Sequence, residues 1–198
     1  MRRAIPLLIF LIAPATAGAQ SATASDIQVQ GHYIGESIAR FLHLNLEARQ
    51  DVDVCQQHPA SSLCKKLLGA IENGDRAEIS TSIAPGFDDS DTSGESINFV
   101  FDAKKLVKLT MLVHELADAN KILGKSSKES DLPSTNASGQ KWLDHVTVWD
   151  SGEIYATLYQ DNNPSLEDRR PILMIESREE HARENQHSAK ASNPSPVN

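Results

Sequence analysis

The stretch HVTVWDSGEIYATLY, residues 145–159, decides how the rest of the chain is read. Apolar and polar residues alternate twice with a turn between, the pattern of two antiparallel strands. Val146 and Val148 share one face of the first strand; Ile154, Ala156 and Leu158 share one face of the second. Side chains alternate with a period of two, so the register has to bring these sets to the same side. A three-residue connection, Asp150-Ser151-Gly152, would do so, setting Val148 opposite Ile154 and Val146 opposite Ala156, with Gly152 in the left-handed position. A two-residue Ser151-Gly152 loop would instead set Val148 against Tyr155. On the three-residue register the other face carries His145, Thr147, Trp149, Tyr155, Thr157 and Tyr159. Tyr and Trp are enriched at interfaces, so Trp149, Tyr155, Tyr159, Thr147 and Thr157 are the candidate binding residues. The plainer reading is an amphipathic face in which aromatic–threonine pairs stabilise the sheet alone.

Outward from this hairpin, the same periodicity recurs. Ile97, Phe99 and Phe101 alternate before a turn at Asp102–Lys105, and Val107, Leu109, Met111 and Val113 alternate after it. Pairing Phe99 with Val107 or Leu109 keeps both apolar faces together. Glu78–Ile83 is a weaker strand and Ile172–Ile175 a short one. Helical spacing marks Ile34, Ile38, Phe41 and Leu42, then Leu63, Leu67, Leu68 and Ile71, with Ser61 or Ser62 as N-cap and Asn73-Gly74 as stop. Leu112, Leu116, Ala119 and Leu123 predict a further helix ending at Gly124. Glu47–His58 reads as a polar connection and Lys125–Lys141 as an exposed loop. Ser177–Gln186 could form a short charged helix.

The expected organisation is a signal peptide over 1–19, a flexible lead-in over 20–30, a first αα-βββ unit over 31–112, a second α-βββ unit over 113–180 and a disordered tail over 181–198. The fold class is α+β, two helix-then-strand units forming one antiparallel sheet covered by helices on one face. Met1-Arg2-Arg3, the apolar block Ala4–Ala13 and the triplet Ala17-Gly18-Ala19 are the signal-peptide pattern. The apolar block is about half of the ~20 residues a membrane span needs. Removing 19 of 198 residues, Arg2 and Arg3 among them, leaves 179 and moves the net charge from −8 to −10. Such acidity disfavours nucleic acid or an anionic membrane as partner. The expected localisation is periplasmic or secreted, with no integral membrane span after processing.

Two cysteines, Cys55 and Cys64, in an exported chain argue for one local disulfide, worth roughly 2–3 kcal/mol in the chain-entropy model. Metal thiolates with His58 between them would lack the usual Cys spacing and a second ligand pair. In the acidic run 89–95, Asp89, Asp91 and Ser93 place oxygens at alternate positions before Gly94, like the first half of a calcium loop. The twelfth position is Val100 rather than a carboxylate, so a solvated acidic loop is the reading and calcium the alternative. His114-Glu115 has Asp118 where a zinc-protease helix needs its second His. Neither a Gly-x-Ser-x-Gly elbow nor a phosphate loop occurs, so the sequence nominates no catalytic residue and implies no cofactor.

The two helix-then-strand units share topology but little residue identity; the features that carry a likeness are Tyr33-Ile34-Gly35-Glu36-Ser37 opening the first helix, Ile97-Asn98-Phe99-Val100-Phe101-Asp102 before the turn and Ile122-Leu123-Gly124-Lys125 closing the second-half helix. In this the chain resembles the β-lactamase-inhibitor-protein fold and the small outer-membrane lipoproteins of the SmpA/OmlA type. It departs from them in lacking the lipid-anchoring Cys and in carrying a Cys pair in one half alone. The resemblance implies a protein-binding sheet surface. The expectation is an exported protein-binding or inhibitor-like module with another exported protein as partner. The alternatives are a small periplasmic hydrolase and a cell-envelope structural protein.

Overall fold

The computed structural model describes residues 27–82, 96–113, 119, 122–123, 128–135, 138–164 and 170–192, the last five without their side chains. The signal-peptide segment, the calcium candidate Asp89, Asp91 and Ser93, and His114-Glu115 lie outside the described residues.

The chain is α+β. Helices α1 (Ile38–Leu44), α2 (Leu46–Gln57) and α3 (Ser62–Glu72) precede strands β1 (Ala77–Ser82), β2 (Ser96–Asp102) and β3 (Lys105–Leu112). Ala119, Ile122 and Leu123 are helical, as their spacing predicts. Strands β4 (Lys128–Thr135), β5 (Lys141–Asp150), β6 (Ile154–Gln160) and β7 (Ile172–Ser177) follow, then helix α4 (Arg178–Ser192). Among the described residues, seven strands form one sheet in the order β1-β2-β3-β7-β6-β5-β4. Every pairing in it is antiparallel. The C-terminal strand β7 therefore lies inside the sheet and joins the meander β1–β3 to the strands β4–β6.

The starts of α1, α2 and α3 are capped by side chains. Ser37 accepts from the Arg40 N–H, Asn45 from that of Ala48 and Ser61 from that of Cys64. Asn45 also ends α1, so one residue closes one helix and opens the next. The polar connection expected over Glu47–His58 is helix α2 for most of its length. Its buried stripe is Ala48, Val52 and Cys55, too small and sparse to register as an apolar face in the sequence.

Cross-strand partners share a face, and the register assigns one side of the sheet to the core. Ile79, Phe99, Leu109, Ile175, Ala156 and Trp149 form one unbroken row across six strands. All six are buried. Phe41 of α1 packs on this side, with ring centroids 4.8 Å from Phe99 and 5.0 Å from Phe101. A bulge at Val100/Phe101 pairs Phe101 with Leu106, so Leu106 takes the buried place that strict alternation assigns to Val107.

The 145–159 hairpin forms, with a different register. Trp149 pairs with Ala156, Thr147 with Leu158 and Val148 with Thr157. The loop is Gly152-Glu153: the Ser151 N–H donates to the Ile154 carbonyl at 3.1 Å, and Gly152 has φ 89° at the first loop position, which a type II′ turn reserves for glycine. Val148 and Ile154 consequently face opposite sides. Trp149 buries far more apolar area than Val148, and the register that places it inside wins.

Three further expectations are corrected. Lys128–Thr135 is an edge strand rather than part of a loop; it is exposed on nearly its whole length, so its sequence carries no apolar alternation. The lead-in ends in structure, with Ile27 and Val29 buried and Val29 bridged to His32. The tail placed at 181–198 is helical through Ser192 as part of α4. That helix also departs from helical cover on one face. It bonds to Lys108, Glu176 and Asp150, which share the side of the sheet opposite Leu109 and Ile175. With no apolar side chain larger than alanine, it could not have joined the core.

Candidate functional site

The register divides the predicted binding residues. Trp149 and Thr147 point into the core, at 5% and 0% exposure. They belong to the packing and are removed from the candidate surface. Tyr155, Thr157 and Tyr159 share the second face and remain partly exposed. His145, on the core side near the sheet edge, pairs with Asp131 at 3.0 Å.

The second face is a table of three rows. The middle row runs Asn98, Thr110, Met174, Thr157, Val148, Lys128 through consecutive cross-strand partners. One flanking row is Leu112, Ile172, Tyr159 and Val146. The other is Val100, Lys108, Glu176, Tyr155 and Asp150. From Asn98 to Val148 the middle row is partly exposed and mixes apolar side chains, Thr and Asn, and no described helix covers it.

Two polar clusters bound this table. At the β4–β6 end, Asp144 is buried and accepts from Trp142 Nε1 at 2.7 Å, the Tyr159 hydroxyl at 2.7 Å, the Asn162 N–H at 3.0 Å and the Ser134 hydroxyl. Burial pushes the Asp144 carboxyl up, but the donors from Ser134, Tyr159, Asn162 and Trp142 outweigh it and hold the pKa at about 2. Tyr159 is pushed the other way, to about 12, by burial and by the hydrogen bond to and charge of Asp144. This carboxylate is fully satisfied and ties three strands to the turn after β6; it is not poised for proton transfer.

Along the other flanking row, from Lys108 to Asp150, lies the seat of α4. His181 meets Glu176 at 2.6 Å and stacks on Tyr155 with ring centroids 3.6 Å apart. Burial raises the Glu176 pKa; the hydrogen bond from His181 opposes this, while neighbouring Glu184 adds to it. Lys108 Nζ donates to Glu184 at 2.7 Å, and Arg76 to Glu180 at 2.5 Å. An open cavity of about 420 Å³ is lined by Arg76, Glu180, Arg183, Glu184 and His187. Its arginines are already paired with Glu180 and Asp102, so it presents no uncompensated charge to a ligand.

Cys55 and Cys64 form the expected disulfide, Cα atoms 4.9 Å apart, linking α2 to the first turn of α3. Among the described residues no group of three or more His, Cys, Asp or Glu could hold a metal ion. Among them, too, no helix is long and apolar enough to cross a membrane. No protein-family profile, curated protein or solved structure matches the chain.

The surface residues that sequence reasoning missed include Asn98, Thr110, Val148, Ile172 and Met174. Ile172 and Met174 lie in a short apolar run, ILMI, whose alternation is invisible because both of its faces carry large side chains.

Proposed function

We propose that this is an exported protein-binding or inhibitor-like module whose second sheet face meets a partner protein. One observation carries the reading: the core face is filled, whereas the row Asn98, Thr110, Met174, Thr157 and Val148 stays partly exposed at the centre of a seven-stranded sheet. Flat faces of mixed aliphatic, Thr and Tyr composition suit protein contact better than a small ligand, which needs a concave pocket. The resemblance to the β-lactamase-inhibitor-protein fold is proposed with it. Its support is the order of elements, helices before the meander β1–β3 and helical residues before β4–β7. Export to the periplasm or medium is likewise proposed, on the leader pattern and the local disulfide.

The test is affinity capture from the exported fraction of the source cells with three baits. Wild type and Leu63→Arg, a change on exposed α3, should retain the same protein, and Thr157→Arg should lose it. Equal capture by all three would remove this face from consideration. Mass measurement of the exported chain should show Gln20 as its first residue. Turnover in an esterase, peptidase or glycosidase panel would overturn the binding reading in favour of the hydrolase.

A further inference from the structure

Helix α4 is held to the sheet in an unusual way. A surface helix ordinarily docks through an apolar stripe. The only apolar residues of α4 are Ala182, Ala189 and Ala191. Its inward stripe is Glu180, His181, Arg183 and Glu184, buried or partly buried at helical spacing, with Ala182, Asn185 and Gln186 outward.

Every member of that stripe is held by charge or polarity. Glu180 takes Arg76 at 2.5 Å and Arg183 from its own helix. Arg183 also reaches Asp102 at the end of β2, and Glu184 takes Lys108 of β3. His181 bonds to Glu176 of β7 and stacks on Tyr155 of β6. At the helix start Arg178 pairs with Asp150 of β5. The helix is thus strapped to five neighbouring strands by contacts that dissolve without leaving apolar surface of its own in water.

Exposed ion pairs contribute little each, and a buried pair recovers its hydration when it opens. The sheet beneath is held by the apolar core on its other side. The two have different sources of stability, so one can open without the other.

We propose that α4 is an ionic latch that lifts off the second sheet face while the sheet stays folded. The consequence for partner binding rests on the reading above; lift-off itself requires no partner. The six positions of the middle row and the four of the Leu112–Val146 row, at ~4.8 Å between strands and ~6.8 Å between rows, give a projected area of roughly 330 Å² for the part of the face outside the α4 seat. A stable interface needs about 800 Å² from each side. Lifting α4 adds the row Lys108, Glu176, Tyr155 and Asp150, roughly 130 Å² more by the same spacing. The latch therefore gates how much of the face a partner can use.

Amide exchange on the full-length, disulfide-intact protein tests this without any partner. Raising NaCl from about 0.05 to 0.5 M should speed exchange at residues 181–186 several-fold and leave β6 and β7 unchanged. Lys108→Glu replaces an attraction to Glu184 by a repulsion and should speed the same amides about tenfold. The swap Lys108→Glu/Glu184→Lys should restore them. Exchange of α4 and β7 at one common rate, unmoved by salt, would overturn the proposal. If Lys108→Glu does not fold, the salt series on the wild type decides alone. A failed capture experiment with Thr157→Arg would leave this result untouched.

Discussion

Replacing Trp149 and Val148 by alanine, one at a time, tests the register on which the second face depends. Trp149 is 5% exposed and opposes Ala156 on the core side; Val148 is partly exposed and opposes Thr157 on the other. A buried Trp removes about 200–250 Å² from water, worth roughly 5–6 kcal/mol at ~25 cal/mol per Å². Alanine keeps a fraction of that and the site relaxes, so the expected cost of Trp149→Ala is about 4 kcal/mol. Val148→Ala deletes two methyl groups, worth about 1.6 kcal/mol if fully buried, so below ~1 kcal/mol here. Equilibrium urea unfolding followed by circular dichroism, under non-reducing conditions and with a common m-value, reads both costs. In the register that sets Val148 opposite Ile154 the order of the two costs reverses. A Val148→Ala cost equal to or above that of Trp149→Ala would refute the assignment of faces, and with it the binding row.

Replacing Cys55 and Cys64 together by Ser should lower stability by roughly 2.5 kcal/mol, the loop-closure value for so short a ring, measured by the same unfolding assay. Tyr159→Phe removes one donor from Asp144, so the Asp144 pKa, followed by carbon NMR, should rise from about 2. Because the folded Asp144 pKa lies below the ordinary 3.8, its contribution is present above about pH 4 and should fade as pH drops towards 2; a wild-type stability profile flat across that window would contradict the cage. Ala103 and Lys104 form the β2–β3 turn with φ 49° and 64°, a left-handed pair without glycine. Ala103→Asn/Lys104→Gly should therefore stabilise by about 0.5–1 kcal/mol in thermal unfolding, and a loss of stability would show the turn to be held by its neighbours instead.

Much of the architecture was legible because one face of each inner strand is buried. Ile97, Phe99 and Phe101 alternate cleanly, and Phe99 opposite Leu109 is one of the two pairings that spacing allowed. The disulfide followed from the even cysteine count and the expectation of export. Where both sides of a strand carry apolar residues, the signal fails. Val146 and Val148 alternate against Thr147 and Trp149, and parity does not say which set is inside. The turn decides, and Gly152 fits either the last place of a three-residue loop or the first of a two-residue one. Strand β4 lacks a buried face, so KESDLPST reads as loop. The Asp144 cage joins residues from Ser134 to Asn162, and no local pattern announces such a convergence. The cationic and anionic partners of α4, from Arg76 to Asp150, are equally dispersed.

The place of β7 bears on how the molecule is made. Leu109 waits for Ile175, and Leu106–Leu112 stays a bare edge until the last strand is available. A nascent chain that has yielded only residues 1–171 holds two half-sheets with nothing between them, each offering unpaired amides to the other or to a neighbouring copy. Delaying collapse until residue 177 has emerged, as a holding chaperone would, keeps those edges apart until the keystone strand arrives.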